Sequence, residues 1–251
     1  MTIIEKIDRC HAAIGAVRPF EGHMLEQLKD YYRIGLTWSS NAIEGNTLTI
    51  SETKVVLEDG LTIAGRPLRD FYETVGHGDA YNFMFSLLGE RRISATEIKA
   101  LHRLFYKGID EGNAGVWRKE PVFVSGTDHV FPRPDELEGR MAELDAWIES
   151  ERGKYHPVTF AGLLHLKFVT IHPFIDGNGR VARLIMNLAL LQDGYQLAIV
   201  PPVLRAEYND NIRWYQNKGK PELFCDFIAE RVYETQKEIM RLLHIPLPDM
   251  K

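Results

Sequence analysis

The sequence contains little cysteine and no long apolar run. Its two cysteines, Cys10 and Cys225, are too few for a disulfide framework, and no C-x-x-C pair indicates structural zinc. No apolar stretch reaches the roughly 18 residues of a transmembrane helix. The N-terminal MTIIEKIDRCHAAIG lacks the apolar core of a cleaved signal. We therefore expect a soluble, cytoplasmic protein that does not bind a membrane.

A surplus of positive charge is also missing. The chain has 30 basic and 35 acidic residues, and its formal net charge is −5. Because nucleic acid is usually bound by a basic surface, we do not expect nucleic acid to be the main partner. With 251 residues and 45% hydrophobic composition, the chain is long enough to bury a core.

Apolar residues recur at helical spacing through most of the chain. This periodicity predicts helices over residues 21–38, 94–109, 135–151, 157–172, 179–193 and 221–243. The fold class predicted from these segments is all-α. We expect an N-terminal helical segment over residues 1–35, followed by the main domain over residues 36–251.

Residues 120–134, EPVFVSGTDHVFPRP, break the helical pattern. Two short β-favouring runs, VFV and HVF, stand on either side of the turn residues SGTD. This arrangement predicts one β-hairpin within the helical fold. Pro132 and Pro134 end the second strand, because proline cannot donate a hydrogen bond to a neighbouring strand.

Residues 172–183, HPFIDGNGRVAR, crowd charged residues and glycines into one short stretch. The backbone of residues 177–179 can turn its N–H groups inward as an anion nest at the start of a helix. Arg180 and Arg183 lie three residues apart on one helical face, where two forked cations suit a polyphosphate. Asp176 can hold Mg²⁺ beside the phosphates, and His172 can take a proton from a hydroxyl.

Other interpretations of this stretch are weaker. GNGRVA fits a loose dinucleotide-binding pattern, but such a pattern follows a buried strand, and residues 157–171 have helical spacing. A metallohydrolase site built from His165, His172 and Asp176 would lack the H-E-x-x-H spacing of such enzymes. An isolated histidine at a helix end is usually structural, but the neighbouring glycines and charges argue for a site.

HPFIDGNGRVAR resembles H-P-F-x-[DE]-G-N-G-R-x-x-R, the signature of Fic-domain enzymes. The resemblance extends to IEGNTLTISE and GVWRKEPVFVSG and covers residues 36–239. These segments are similar to those of animal members that act in the endoplasmic reticulum, although their compartment and substrate are not carried over. The resemblance implies a Fic-type helical domain that transfers AMP from ATP to a Ser, Thr or Tyr hydroxyl of a target protein.

The resemblance also implies roles for single residues. His172 would be the general base, and Asp176 would hold Mg²⁺, or Mn²⁺ in its place. Arg180 would meet the β-phosphate and Arg183 the γ-phosphate. The complete set of expected ATP contacts is Val122, Phe123, Val124, Ser125, Asp176, Gly177, Asn178, Gly179, Arg180, Val181, Ala182, Arg183, Asn187, Tyr208 and Asn217. An intact G-N-G-R core favours AMP transfer over the kinase or phosphocholine-transferase activity of other relatives.

The predicted hairpin corresponds to the flap of this family. We call residues 120–134 the flap segment. The resemblance implies that an extended piece of the target pairs with it and is held with its hydroxyl in line. Simple packing of the hairpin is the alternative. The expected partners are therefore ATP and a protein target, and a homodimer stays open because family members often dimerise.

The stretch SSNAIEGN, residues 39–46, follows a helical pattern and ends near Gly45, a residue typical of helix ends. A carboxylate at Glu44 opposes the helix dipole, unless a cation compensates it. The stretch resembles the family's inhibitory motif [S/T]-x-x-x-E-[G/N], here Ser40 to Gly45. That resemblance implies that Glu44 pairs with Arg183 and obstructs the γ-phosphate.

These expectations lead to one main function and two alternatives. The main function is a self-inhibited protein adenylyltransferase. The first alternative is a de-AMPylase in which Glu44 positions water for hydrolysis, a role that this glutamate has in the animal relatives. The second is a nucleotide-sensing regulatory protein with negligible catalysis.

Overall fold

The computed structural model describes residues 1–17 and 22–249. In this part of the chain the regular structure is helical, and no β-strand is present. The helices are α1 Ile3–Gly15, α2 Gly22–Ile43, α3 Ile50–Lys54, α4 Leu68–Ser86, α5 Ala95–Tyr106, α6 Leu137–Glu151, α7 Pro157–Ile171, α8 Asn178–Gln192, α9 Arg205–Lys218 and α10 Glu222–Leu242. Residues 18–21 and 250–251, which belong to the predicted N-terminal segment and main domain, lie outside the described residues.

Helices α7 and α8 form the centre of the fold. They pack against each other, and α4, α5, α6 and α10 surround them. Residues 180–190 of α8 are all buried, as expected of a helix enclosed on every side. The central position matters because the HPFIDGNGR stretch connects these two helices. No helix in the described ranges is long and apolar enough to cross a membrane.

The helices predicted from periodicity are confirmed, and α3, α4 and α9 are added to them. Helix α4 is interrupted in sequence by Gly76 and Gly78, which weaken a helical prediction. A Cβ at Gly76 would overlap the carbonyl oxygen of Phe105, so this glycine lets α4 approach α5. Helix α9 is mostly polar and buries only Tyr208 and Ile212. Helix α2 runs without interruption through residue 36, where the sequence predicted a domain boundary.

The flap segment corrects one prediction. Its residues are all described. Two arms without regular secondary structure, residues 121–124 and 127–133, flank a turn at 125–126, and they do not form the paired strands of a β-hairpin. Pro121 and Pro132 have no N–H to donate between the arms. Phe123 and Val130 are 94% and 87% exposed, so neither is anchored by burial. A two-stranded pair without a packed face has little stability of its own, and here the arms stay separate.

Candidate active site

His172 lies directly after the last residue of α7. Its backbone φ of 53° is in the left-handed region that residues other than glycine rarely adopt, and such strain is typical of functional positions. Its ring nitrogen Nδ1 donates a hydrogen bond to the carbonyl oxygen of Val169, 3.2 Å away. Because Nδ1 carries the proton, Nε2 is the nitrogen that can accept one.

The imidazole of His172 is uncharged at neutral pH. Burial is the largest effect and lowers its pKa to about 4. The hydrogen bond to Val169 raises the pKa, as do the carboxylates of Glu44 and Asp176. The guanidinium of Arg118 lowers it further. A neutral imidazole with a free Nε2 is the form in which histidine acts as a general base.

The turn after His172 is closed by the side chain of Asn178. Its Oδ1 accepts a hydrogen bond from the N–H of Phe174 at 2.9 Å, and its Nδ2 donates to the Phe174 carbonyl at 2.8 Å. Asn178 therefore has only its backbone left for an anion nest. Gly177 has a φ of 77°, and a Cβ there would lie 2.8 Å from Cε1 of Phe105. Both the backbone and the space require glycine at 177.

Asp176 lies at the edge of this turn and is surrounded by donors. Its Oδ1 accepts hydrogen bonds from the N–H of Gly177 at 2.6 Å and from Nη2 of Arg180 at 3.3 Å. Its Oδ2 accepts from Nη2 of Arg69 at 2.7 Å. Burial alone would raise the pKa of Asp176, but the charge of Arg180, the Gly177 N–H and Arg69 outweigh it, and the pKa lies below its usual range. The carboxylate is therefore ionised.

This carboxylate fits a magnesium ion that arrives with phosphates. Among the described residues, no group of three or more His, Cys, Asp or Glu side chains could enclose a metal. Mg²⁺ does not need such a cage, because it commonly binds to one or two carboxylates and fills its shell with phosphate oxygens and water. The side chain of Asp176 is 40% exposed and adjoins the amides of residues 177–179, as this mode of binding requires.

Arg180 points away from solvent and is held by carboxylates. It is 2% exposed, and its Nη1 lies 2.9 Å from Oε1 of Glu73, a buried residue of α4. The guanidinium also stacks on the Phe105 ring at 4.3 Å. Arg69, one turn before Glu73, donates to the same Oε1 at 3.0 Å. Sequence analysis overlooked Glu73 and Arg69, although their spacing of four on a helix is a pattern typical of ion pairs.

Arg183 is the second cation of the stretch and is 2% exposed. Its Nε donates to Oγ of Ser40 at 2.9 Å, and its Nη1 donates to the Tyr208 hydroxyl at 3.1 Å. Its Nη2 donates to the Ser40 carbonyl at 2.8 Å and to Oε1 of Glu44 at 2.7 Å. The two stretches that the sequence linked are thus in direct contact.

Glu44 belongs to the turn directly after α2, and Gly45 follows with a φ of 101°. The Glu44 carboxylate lies against the start of α8, because a Cβ built on Gly179 would overlap it. Burial alone would raise the pKa of Glu44, but the charges of Arg183 and Arg180 lower it below its usual range. An ionised carboxylate therefore occupies the position where a nest at the helix N-terminus would bind an anion.

Two adjoining cavities meet at Glu44 and His172. The first, of about 300 Å³, extends along α9 and includes Arg183 and Tyr208. The second, of about 530 Å³, extends over the turn from Ile175 to Gly179. Val124 and Ser125 of the flap segment line both cavities, and Val122 and Phe123 line the second. A nucleotide-sized space thus adjoins the base.

Other residues expected to contact the nucleotide do not line these cavities. Val181, Ala182 and Asn187 are fully buried in α8, and Arg180 lies behind the turn. The Asn187 side chain bonds the backbone of residues 183 and 198, which explains its burial. Asn217 is exposed near the end of α9. Its neighbour Gln216 lines the first cavity and accepts a hydrogen bond from Thr127 of the flap segment at 3.1 Å.

The sequence comparisons agree with the motif that forms this site. Residues 92–190 match the model of the Fic/DOC family. The chain is 33% identical over 234 residues to the protein adenylyltransferase Fic of Drosophila melanogaster, which covers 92% of this chain and 47% of the fly protein. A relative of the same name from Drosophila grimshawi is 34% identical over 231 residues, 91% of this chain and 47% of that protein. The chain spans about half the length of these curated relatives.

The structural comparisons point to the same fold. Residues 134–508 of Fic-1 from C. elegans have a TM-score of 0.85 at 25% identity, over 96% of this chain and 73% of that chain. A Fic-domain signaling protein from Bacteroides thetaiotaomicron also has a TM-score of 0.85, at 24% identity, over 97% of this chain and 100% of that chain. The helical fold of the present chain is therefore a Fic fold.

The turn makes a prediction about stability. Gly177→Ala should destabilise the protein by about 2 kcal/mol or more, because the alanine would combine a positive φ with a clash against Phe105. Gly139→Ala is the matched control: it lies in α6, and no atom within 4 Å would meet its Cβ. The control should stabilise the protein by up to about 1 kcal/mol. Urea denaturation measures both, and equal effects of the two changes would contradict this account of the turn.

Proposed function

Because the chain carries a domain of the Fic/DOC family, we propose that it is a protein adenylyltransferase that transfers AMP from ATP to a Ser, Thr or Tyr hydroxyl of a target protein. The observation that carries this proposal is the neutral His172, whose free Nε2 adjoins an anion nest and the buried cation Arg183. A base beside a phosphate site is the arrangement that nucleotidyl transfer needs. The names of the Drosophila relatives support the same activity.

In the proposed reaction, the hydroxyl oxygen of the target attacks the α-phosphorus of ATP. Nε2 of His172 takes the proton of the hydroxyl as the new oxygen–phosphorus bond forms. The bond between the α-phosphorus and the oxygen that bridges to the β-phosphate breaks, and pyrophosphate leaves with the electron pair. Two hydrogen bonds keep the ring oriented during the transfer. Nδ1 of His172 donates to the Val169 carbonyl, and the His172 carbonyl accepts from Nε of Arg118.

The phosphates would be held by backbone and by arginines. The amides of residues 178 and 179, at the N-terminus of α8, offer donors to the α-phosphate, where charge develops in the transition state, while the Gly177 amide already donates to Asp176. Arg183 would meet the γ-phosphate. Arg180 is buried behind the turn, and we assign it the β-phosphate side because it already lies 3.3 Å from Asp176.

Asp176 would hold Mg²⁺, with Mn²⁺ as the alternative ion. When bound, the ion would neutralise phosphate charge and polarise the phosphoryl oxygens. The chain's own contribution is to keep Asp176 ionised through the Gly177 amide and Arg180. Arg69 occupies Oδ2 at present and would share or yield that oxygen.

The contact between Glu44 and Arg183 supports self-inhibition. Glu44 takes one arm of the guanidinium and lies against Gly179, so it competes with phosphate for both. Its low pKa keeps the charge in place at neutral pH. Relief of inhibition would therefore come from movement of the Glu44 side chain or of the turn that carries it, because protonation near neutral pH is disfavoured.

The flap segment is the proposed contact for the target. The backbones of its two arms are not paired with each other, so an added strand could pair with either arm. The second cavity opens beside Phe123 and Val124 and reaches His172. A target segment along this arm would bring a hydroxyl to Nε2.

Removal of AMP by hydrolysis is a second candidate function. Glu44 and His172 line the same two cavities, so a carboxylate and a base face one space. Such a pair can orient and deprotonate a water molecule. An ionised Glu44 that stays in place would favour this reaction over AMP transfer.

Glu44→Gly should raise AMP transfer from several-fold to about a hundredfold, the range of a coupling of roughly 1–3 kcal/mol. The change frees Arg183 and Gly179 for phosphate. Arg183→Ala should lower transfer, and the double variant should stay low because the phosphate ligand is missing. Incorporation of label from α-labelled ATP measures all variants, and Glu26→Gln, on an exposed residue of α2, is the control.

If the folded Glu44→Gly variant transferred AMP no faster than the wild type at adequate Mg²⁺, Glu44 would have no inhibitory role. Release of AMP from a modified target by the wild type, lost in Glu44→Gly, would instead identify the hydrolytic function. Binding of ATP without transfer by any variant would favour the nucleotide-sensing alternative.

The pH dependence of transfer should reveal the base. Since kcat/KM reports the free enzyme, its acid limb in Glu44→Gly should lie below about pH 5, where His172 becomes protonated. Loss of Glu44 removes a carboxylate that raises the pKa of His172, so the limb cannot move up. The measurement is kcat/KM from about pH 4 to 8, with His172→Ala as the variant without a base, expected to be slower by about 10²–10⁴-fold. An acid limb near pH 6.5 would contradict this prediction, because it would show that the base has the pKa of a histidine exposed to solvent.

Asp176→Asn should raise the Mg²⁺ concentration needed for half-maximal transfer, because a neutral amide binds a hard cation less well than a carboxylate. Asp79→Asn is the control, since Asp79 lies in a surface ion pair with Lys107. A Mg²⁺ titration at fixed ATP in the Glu44→Gly background compares them. Identical titration curves for both variants would exclude Asp176 as the ligand.

A further inference from the structure

Arg118 is a buried cation without a carboxylate partner. It precedes the flap segment and is 3% exposed. Its pKa is lowered by burial, and no nearby carboxylate of the described chain raises it again. A guanidinium removed from water costs free energy unless its N–H groups are satisfied, so its partners must explain its position.

Every side-chain hydrogen bond of Arg118 goes to a backbone carbonyl. Nε donates to the carbonyl of His172 at 2.9 Å, and Nη1 donates to that of Glu120 at 3.0 Å. Nη2 donates to the carbonyl of Pro132. The backbone N–H of Arg118 donates to Pro173 at 2.9 Å. One planar group thus holds both arms of the flap segment and the backbone of the base.

Arg118 is the residue that joins all three parts of the chain. The second flap arm has further contacts near the base, where the Phe131 ring lies 4.7 Å from the His172 ring and His129 bonds the Thr170 carbonyl at 3.2 Å. The flap arms do not pair, and their apolar residues Phe123 and Val130 are exposed. His172 sits at a strained left-handed position that surrounding contacts must maintain. The rigid fork of arginine fixes three oxygens relative to one another, which a lysine ammonium on a flexible stem cannot do.

We propose that Arg118 is a positioning residue that sets the distance between the flap segment, where the target lies, and Nε2 of His172. This inference rests on the proposed adenylyltransferase function. Arg118 acts through the two carbonyls of the flap arms and through the carbonyl of His172, and it touches neither nucleotide nor target. Its loss should slow the chemical step and leave most of the ATP affinity intact.

Arg152 provides a matched comparison. It is also a buried arginine with a pKa lowered by burial, and it donates to the Ala189 carbonyl at 3.3 Å and to Gln192 at 2.8 Å. Unlike Arg118, it also pairs with a carboxylate, that of Asp193 at 3.3 Å. It lies at the far end of α8 from the HPFIDGNGR turn. Arg152→Met should therefore cost stability without changing the geometry at His172.

The experiment compares Arg118→Met, Arg118→Lys and Arg152→Met in the full-length Glu44→Gly protein. Transfer from α-labelled ATP should show kcat lower by about 10- to 100-fold in Arg118→Met, the scale of a displacement of about 1 Å. The Kd of a fluorescent ATP analogue should change less than about threefold. The kcat of Arg118→Lys should lie between those of Arg118→Met and the Glu44→Gly parent. Arg152→Met should keep kcat within about twofold of the parent, whatever its melting temperature.

Hydrogen–deuterium exchange tests, without a catalytic assay, whether Arg118 holds the flap segment and the backbone of His172 in place. Arg118→Met should speed exchange over residues 120–134 and around 172, and Arg152→Met should not. If Glu44→Gly transfers no AMP, the proposed function fails, and this exchange pattern still decides the role of Arg118. Unchanged kcat in Arg118→Met, a loss of kcat that merely follows melting temperature in both variants, or unchanged exchange at the flap would overturn the inference.

Discussion

The buried positive charge of Arg183 is the constraint on which the rest of the site depends. A guanidinium that is 2% exposed must find partners inside the protein, and Ser40, Tyr208 and Glu44 supply them. An anion has to stay near this cation, because an unpaired buried charge is costly. Glu44 fills that place. Under the proposed function, a phosphate of ATP would replace it.

Arg180, the other buried cation of the stretch, has a carboxylate partner that is held more firmly than the Glu44 partner of Arg183. Arg180 faces Glu73, which lies within α4 and is 5% exposed. Glu44 follows the last residue of α2 and is 34% exposed, so it can leave without disturbing the core. The carboxylate that could be exchanged therefore lies at Arg183, whereas the partner of Arg180 is fixed within α4.

Local patterns were readable from the sequence, and contacts between distant segments mostly were not. Helical spacing and the HPFIDGNGR turn depend on neighbouring residues, and the motif around Glu44 added its distant partner by resemblance. Asn187 was expected near the nucleoside, yet its side chain satisfies buried backbone groups, and the Asn178 side chain closes the turn in the same way. The hairpin prediction failed because β propensity ignores which neighbours hold the arms. Arg118 has no sequence signal of its own, since its partners are carbonyls that every residue carries.

The net charge of −5 concealed the phosphate site for a physical reason. The arginines at the turn are already neutralised by Glu44, Glu73 and Asp176, so the closed site presents little positive field. Under the proposed function, binding of a nucleotide would exchange one anion for another at Arg183. Selectivity would follow from this exchange, because a ligand would have to bring phosphate charge to the position of the Glu44 carboxylate before the amides of residues 178 and 179 became accessible. An uncharged nucleoside could fill the adjoining cavity and would leave the ion pair closed.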